Sequence, residues 1–287
     1  MAIRFEYIGI TVSDIIGAAR FFGEGLQLPR LHEGFEEADG TRRVRFTFPR
    51  SGAEVHVLQC LTDKAIDANH ANPGTAHIAF YTDDIDKAFA DMERHGARLC
   101  SDEIVQIVGG VFDGGKALYC AGPDGIRVEL MQGPVYLDGT ERCDRAELQA
   151  RNANEATHFG VHVRDRDASL AFWRDLLGMR SVAEWTEASA ATRSVIGYPQ
   201  ASLHMAILRL LQTQSFCEVI EYRGTAGQPV ERARGKAGAF HFAFSIDAVD
   251  AADLARKAGA LGLECLEDEA GLSCIDRDGF HIRFVPR

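Results

Sequence analysis

No run in this chain approaches the ~20 apolar residues that a membrane-spanning helix requires. Its seven cysteines (Cys60, Cys100, Cys120, Cys143, Cys217, Cys265 and Cys274) are scattered, odd in number and form no C-x-x-C. That spacing excludes a zinc knuckle and argues against a disulfide framework. Basic runs are missing as well, and the formal net charge is −11, so nucleic acid is not an expected partner. The opening MAIRFEYIGI alternates like a strand and lacks the apolar core and cleavage site of a secretory leader. Together with the thiols, this sets the expectation of a cytoplasmic protein. No phosphate loop, dinucleotide fingerprint or nucleophile elbow occurs, which removes the corresponding enzyme classes. What remains is 46% hydrophobic and 25% charged, the composition of a globular protein. At 287 residues it is long enough for two ordinary domains.

The chain repeats itself. YIGITVSDIIGAARFFGEGLQL, from residue 7, matches HFGVHVRDRDASLAFWRDLLGM, from residue 158. Each shows an alternating strand, an aspartate-marked helix start, an apolar helical stripe and a glycine stop. HIAFYTDDIDKAFADMERHGARL, from residue 77, matches HFAFSIDAVDAADLARKAGALGL, from residue 241, in the same way. Strand-like sequence follows each helix. VRFTFPRSGAEVHVLQC reads as a hairpin turning at Pro-Arg-Ser-Gly, and ASLHMAILRLLQTQSFCEVIEY as one turning at Gln-Thr-Gln-Ser. CAGPDGIRVELM and CIDRDGFHIRFV each place a strand after an Asp-Gly turn. The reading is four βαβββ modules, at about 3–60, 75–132, 156–222 and 238–286, in an α+β fold. A three-strand layer with one helix buries its faces poorly, so modules should pair. The economical pairing is sequential: an N-terminal domain over 1–133, a charged linker over 134–155 and a C-terminal domain over 156–287. Residues 144–151 within the linker are expected as a short exposed helix.

HFGVHVRDRDASLAFWRDLLGM, GTAHIAFYTDDID and GPDGIRVEL together resemble the vicinal oxygen chelate superfamily, which includes glyoxalase I, resistance proteins and extradiol dioxygenases. The resemblance covers nearly the whole chain outside the linker. It implies paired modules curved around a divalent metal, with ligands from the first and last strand of each module. Transferred to this sequence, those positions fall on Tyr7 and His56, His77 and Glu129, His158 and Glu218, and His241 and Arg283. With sequential pairing, His56, His77 and Glu129 would form an N-terminal metal site, and His158, Glu218 and His241 a C-terminal one. Two histidines and one carboxylate suit Fe(II), while Mn, Ni, Zn and Co accept the same donors.

The remaining candidates follow from their chemistry. Tyr7, a neutral phenol, is expected to bond substrate or pack rather than ligate. Arg283 stays protonated and repels a cation, so it is expected to clamp a substrate carboxylate or to pair with Glu218. His281 shares its strand face. His162, on the face of His158, and His204 are candidates for acid–base work. GGVFDGG, at 109–115, reads as a hairpin tip or lid. The four-module layout makes an extradiol-type ring-cleaving dioxygenase the leading expectation. A glyoxalase- or epimerase-like lyase or isomerase is the alternative, and a metal-free small-molecule binder a third. The expected partners are a small catechol-like or hydroxy-carbonyl substrate and a second copy of the chain in a homo-oligomer.

Overall fold

The computed structural model describes residues 3–38, 41–48, 53–60, 62, 64–101, 103–108, 113–133, 136–137, 141–142, 155–210, 216–230, 235–268 and 271–287. The expected helix at 144–151, Cys143, the hairpin turns at 49–52 and 212–215, and most of GGVFDGG lie outside these residues.

Module one comprises β1 (Arg4–Val12), α1 (Ile15–Arg20), β2 (Glu36–Ala38), β3 (Thr41–Thr47) and β4 (Glu54–Gln59). Module two follows with β5 (Ala76–Tyr81), α2 (Ile85–Arg94), β6 (Arg98–Leu99), β7 (Val105–Gln106), β8 (Lys116–Ala121) and β9 (Arg127–Gln132). A ribbon of β10 (Tyr136–Leu137) and β11 (Glu141–Arg142) falls in the linker. Module three is β12 (Glu155–Val163), α3 (Arg166–Leu170), β13 (Arg180–Glu187), α4 (Ala190–Ile196), β14 (Ser202–Arg209) and β15 (Phe216–Arg223). Module four is β16 (Phe240–Ile246), α5 (Ala251–Ala260), β17 (Glu264–Asp268), β18 (Gly271–Ile275) and β19 (His281–Pro286). The aspartate marks act as N-caps in three modules: Asp14, Asp84 and Asp165 each accept from backbone N–H groups of the first helical turn. Helix α4 is an addition that the repeat pattern does not contain. Ser189 caps its start and Gly197, at φ 71°, its end.

The modules do not pair in sequence order. An eight-stranded sheet runs β17-β18-β19-β16-β1-β4-β3-β2, and a nine-stranded one β13-β14-β15-β12-β5-β9-β8-β6. The antiparallel pair β1–β16 therefore joins module one to module four, and β5–β12 joins module two to module three. The expectation of sequential pairing is corrected here. All four first strands alternate alike, so their periodicity carries no information about which two will meet.

Each sequential half is held together by other means. The helical segments of modules one and two pack on each other, as do those of modules three and four. The Asp-Gly turns reinforce this. Asp124 accepts from Ser13 N at 2.7 Å and from Ser13 Oγ at 2.5 Å. Asp278 accepts from Arg164 N at 3.0 Å and from Ser169 Oγ at 3.1 Å. One continuous core lies behind both sheets. It includes an aromatic chain in which Phe159 lies 5.7 Å from Phe5 and 4.6 Å from Phe242, joining the sheets back to back. The six described cysteines are unpaired. Among the described residues, no helix is long and apolar enough to cross a membrane.

Asp278 is fully buried, and its loss strands a buried hydroxyl and a backbone N–H. Asp278→Ala is expected to lower stability by about 2–3 kcal/mol, read as a shifted urea midpoint with an unchanged slope.

Candidate metal centre

Strand alternation builds the site. Along β12, Phe159, Val161 and Val163 enter the core, which turns His158, Gly160 and His162 to the opposite, concave face. On β5, Ile78 and Phe80 face the core and His77 faces the cleft. On β9, Val128 and Leu130 do the same for Glu129, and on β15, Cys217 and Val219 do so for Glu218. A register shift between Ala156 and His158 lets β12 follow β5 while keeping His158 inward.

Four side chains converge. His158 Nε2 lies 3.1 Å from His77 Nε2, 3.0 Å from Glu129 Oε2 and 3.4 Å from Glu218 Oε2. His77 Nε2 lies 3.5 Å from Glu129 and 3.9 Å from Glu218. All four residues are buried. Gly160 makes the room: a Cβ there would land on the imidazole of His77.

A hydrogen-bond chain fixes the free nitrogen of His77. Thr75 Oγ1 donates to the carbonyl of Asn72 at 2.7 Å, and so accepts from His162 Nδ1 at 2.9 Å. His162 Nε2 is then the acceptor for His77 Nδ1–H at 3.0 Å. That leaves His77 Nε2 as a lone pair aimed into the site, the orientation that a metal-ligating histidine takes from its outer partner. Burial, then the Arg127 guanidinium, pushes His162 down to about 3, so this relay stays neutral. Burial, then the charge of His158, holds His77 well below the ordinary imidazole value.

Glu218 behaves oppositely. Burial pushes Glu218 up to about 7, the charge of His158 opposing and that of Glu129 adding. Burial also disfavours charge on His158, but Glu218 and Glu129 outweigh it and its pKa is raised. Two carboxylates and two imidazoles crowded in a buried pocket share protons when no cation is present, and a divalent cation relieves the crowding directly. The donor set therefore fits a metal, and His77, His158 and Glu218 hold their ligating atoms within 4.8 Å of one another. Beside it, Trp185, Val195, Ile196, Leu203, Met205 and Ile220 line an apolar pocket of about 70 Å³, which α4 helps to close.

The ligand sets expected from sequential pairing are corrected accordingly. His56 does not join His77 and Glu129, and His241 does not join His158 and Glu218, because their modules lie in different sheets. Instead His56, Tyr7, His241 and Arg283 occupy the matching corners of the other sheet. His56 stands beside Gly9 as Glu218 stands beside Gly160, and His241 pairs with Gly9 as His77 pairs with Gly160. Arg283 stands beside Ala243 as Glu129 stands beside Ala79. Tyr7 stacks on His56 with ring centroids 3.7 Å apart, and His56 Nε2 is bonded to Glu54 at 2.6 Å. Arg283 and Glu218 sit in different sheets, so the alternative of an ion pair between them is also corrected. His204 turns away from the cleft that Leu203 and Met205 line, and bonds Arg223 at 2.9 Å.

Thr75, Tyr119 and Arg127 escaped the sequence reading. Thr75 stands two residues before His77 in GTAH, so strand alternation was the signal for it. Nothing in the repeat pattern marks Tyr119, whose hydroxyl lies 3.4 Å from His77 Nε2.

The sequence profile of the Glyoxalase/Bleomycin resistance protein/Dioxygenase superfamily matches residues 4–130. Residues 4–130 are thus similar to a domain of this superfamily. Glyoxalase I from Zea mays shares its fold, with a TM-score of 0.68 and 16% identity over 99% of this chain and 92% of that one. The "Uncharacterized protein YwbC" of Bacillus subtilis (strain 168) is 28% identical over 134 residues, which make up 46% of this chain and 99% of that protein.

Two outcomes test this superfamily centre. Gly160→Ala is expected to displace the His77 ring and weaken binding of added Mn(II) at least tenfold, measured by calorimetry, while circular dichroism stays unchanged. The second concerns pH. Glu218 holds a proton up to about pH 7 in the metal-free protein, and a ligating carboxylate must release it. Apparent metal affinity is therefore expected to fall by at least tenfold per pH unit below pH 7, because Glu218 must release a proton and His158, whose pKa is also raised, must be neutral to ligate. A flat profile between pH 5 and 7 would remove Glu218 and His158 from the donor set.

Proposed function

We propose that the chain is a divalent-metal-dependent lyase or isomerase that moves a proton next to a carbonyl in a small hydroxy-carbonyl substrate. The observation that carries this reading is the second carboxylate. A ring-cleaving dioxygenase needs a facial triad whose three open positions take both substrate oxygens and O2. Here Glu129 adds a second carboxylate beside His77, His158 and Glu218, and a cation that took all four as ligands would have fewer positions left for substrate and O2 than a triad leaves. The ring-cleaving expectation is therefore the weaker one for this cleft.

His77, His158, Glu129 and Glu218 are the proposed ligands. Bound there, the metal would act as a Lewis acid, polarising the carbonyl and acidifying the neighbouring C–H. Such a role needs no redox change, so Fe(II) loses its preference over Mn, Co, Ni or Zn. The protein's own contribution is base, orientation and dryness. Glu218, held near neutrality by burial, suits a carboxylate that takes a proton from one substrate carbon and returns it to another. The His162–Thr75 relay fixes the ring of His77. The apolar wall of Trp185, Val195 and Leu203 excludes water and leaves room for a small apolar substituent.

Turnover of a hydroxy-carbonyl panel is expected to persist without oxygen and to exchange solvent deuterium into the substrate carbon, followed by NMR. Glu218→Gln is expected to lower kcat by about 10²–10⁴, while metal binding through His77, His158 and Glu129 survives in weakened form. Oxygen consumption matching turnover with a catechol would reverse the assignment.

A further inference from the structure

The second cleft keeps the scaffold of the first and inverts its charge. Its cavity measures about 220 Å³ and is lined by Tyr7, Arg43, Gln59, His241, His281 and Arg283, among others. No aspartate or glutamate lines it among the described residues. Two acids stand bonded at its edge: Glu54 bonds His56 and Arg45, and Glu36 bonds Arg43 at 2.7 Å and Arg45 at 3.1 Å. Where the first cleft has Glu129, this one has a guanidinium, and where it has Glu218, an imidazole whose Nε2 is already bonded to Glu54. A tyrosine replaces His158. Of the four corners, only His241 remains as an ordinary metal donor, beside a permanent cation that opposes one.

What such a wall recognises is an oxyanion. Arg283 and Arg43 come from opposite sides of the central β1–β16 pair, on β19 and β3, and line the same cavity. Guanidinium forks match the paired oxygens of a carboxylate or phosphate; Arg43 bonds Glu36 through Nη2 while its buried Nε has no partner among the described residues. Tyr7 and Gln59 add neutral polar groups beside them. From this convergence we infer that the β1–β16 cleft is a binding site for a small organic anion, a carboxylate or a phosphate ester, separate from the metal centre. The site does not depend on the reaction assigned to the metal centre, because no residue is shared between the two clefts.

The test is calorimetric titration of the full chain, at low salt, with benzoate and separately with inorganic phosphate. His77→Ala serves as the background in which the metal cleft is disabled. The expected result is saturable binding of at least one anion to wild type and to His77→Ala alike, weakened at least tenfold by Arg283→Gln and by Arg43→Gln, about 1.4 kcal/mol each. Preference for benzoate identifies a carboxylate ligand, and preference for phosphate a phosphate ester. Arg283→Lys retains the charge without the fork and is expected to bind between wild type and Arg283→Gln, so the test survives if the glutamine variant misfolds. Absence of saturable binding overturns the proposal. So does binding that both arginine variants leave intact, or binding that His77→Ala abolishes.

Discussion

The antiparallel pairing of first strands is the constraint on which everything else in this molecule rests. β5 against β12 brings His77 and His158 to one concave face, and β1 against β16 brings Tyr7 and His241 to another. The last strand of each module runs parallel to its own first strand, in β9, β15, β4 and β19. Each cleft thus gets its remaining two corners from within the modules. Because side chains alternate, one register error in either central pairing would turn the inward residues of that strand into the core. The close fit of His77 over Gly160, and of His241 over Gly9, leaves little freedom for such a slip.

The same frame supports two opposed electrostatic designs. In one cleft, buried carboxylates raise the pKa of one histidine while burial lowers that of another. This tension is useful only where a cation or a moving proton resolves it. In the other, a guanidinium and a Glu54-bonded histidine replace the carboxylates. Backbone geometry is nearly shared, so the difference in chemistry comes down to a few inward positions. The outer supports differ too: the His162–Thr75 relay stands behind His77, whereas the position on β1 that matches His162 holds Thr11.

Local features were legible in the sequence because they are encoded locally. The four modules, the aspartate caps of α1, α2 and α3, and the inward direction of His77, Glu129, His158 and Glu218 all follow from periods of two and 3.6. Partner choice was not legible. Which first strand meets which depends on contacts between residues far apart in the chain: the β1–β16 ladder sets Phe5 opposite Phe244, and the β5–β12 ladder sets His77 opposite Gly160. For that reason the eight candidate positions can be named one by one from the sequence, while their grouping into two clefts cannot. Helix α4 was missed for another reason: its seven residues sit in a segment whose flanks read as strand.

Each cleft draws two corners from the first half of the chain and two from the second. Had two copies of a single half assembled in this manner, symmetry would have written every substitution into both clefts at once. Joining the halves through residues 134–155 removes that coupling. A change at position 283 alters one cleft and leaves position 129 in the other untouched. The covalent join thus gives the molecule independent heredity for its two sites, so that one can keep its acids while the other becomes basic.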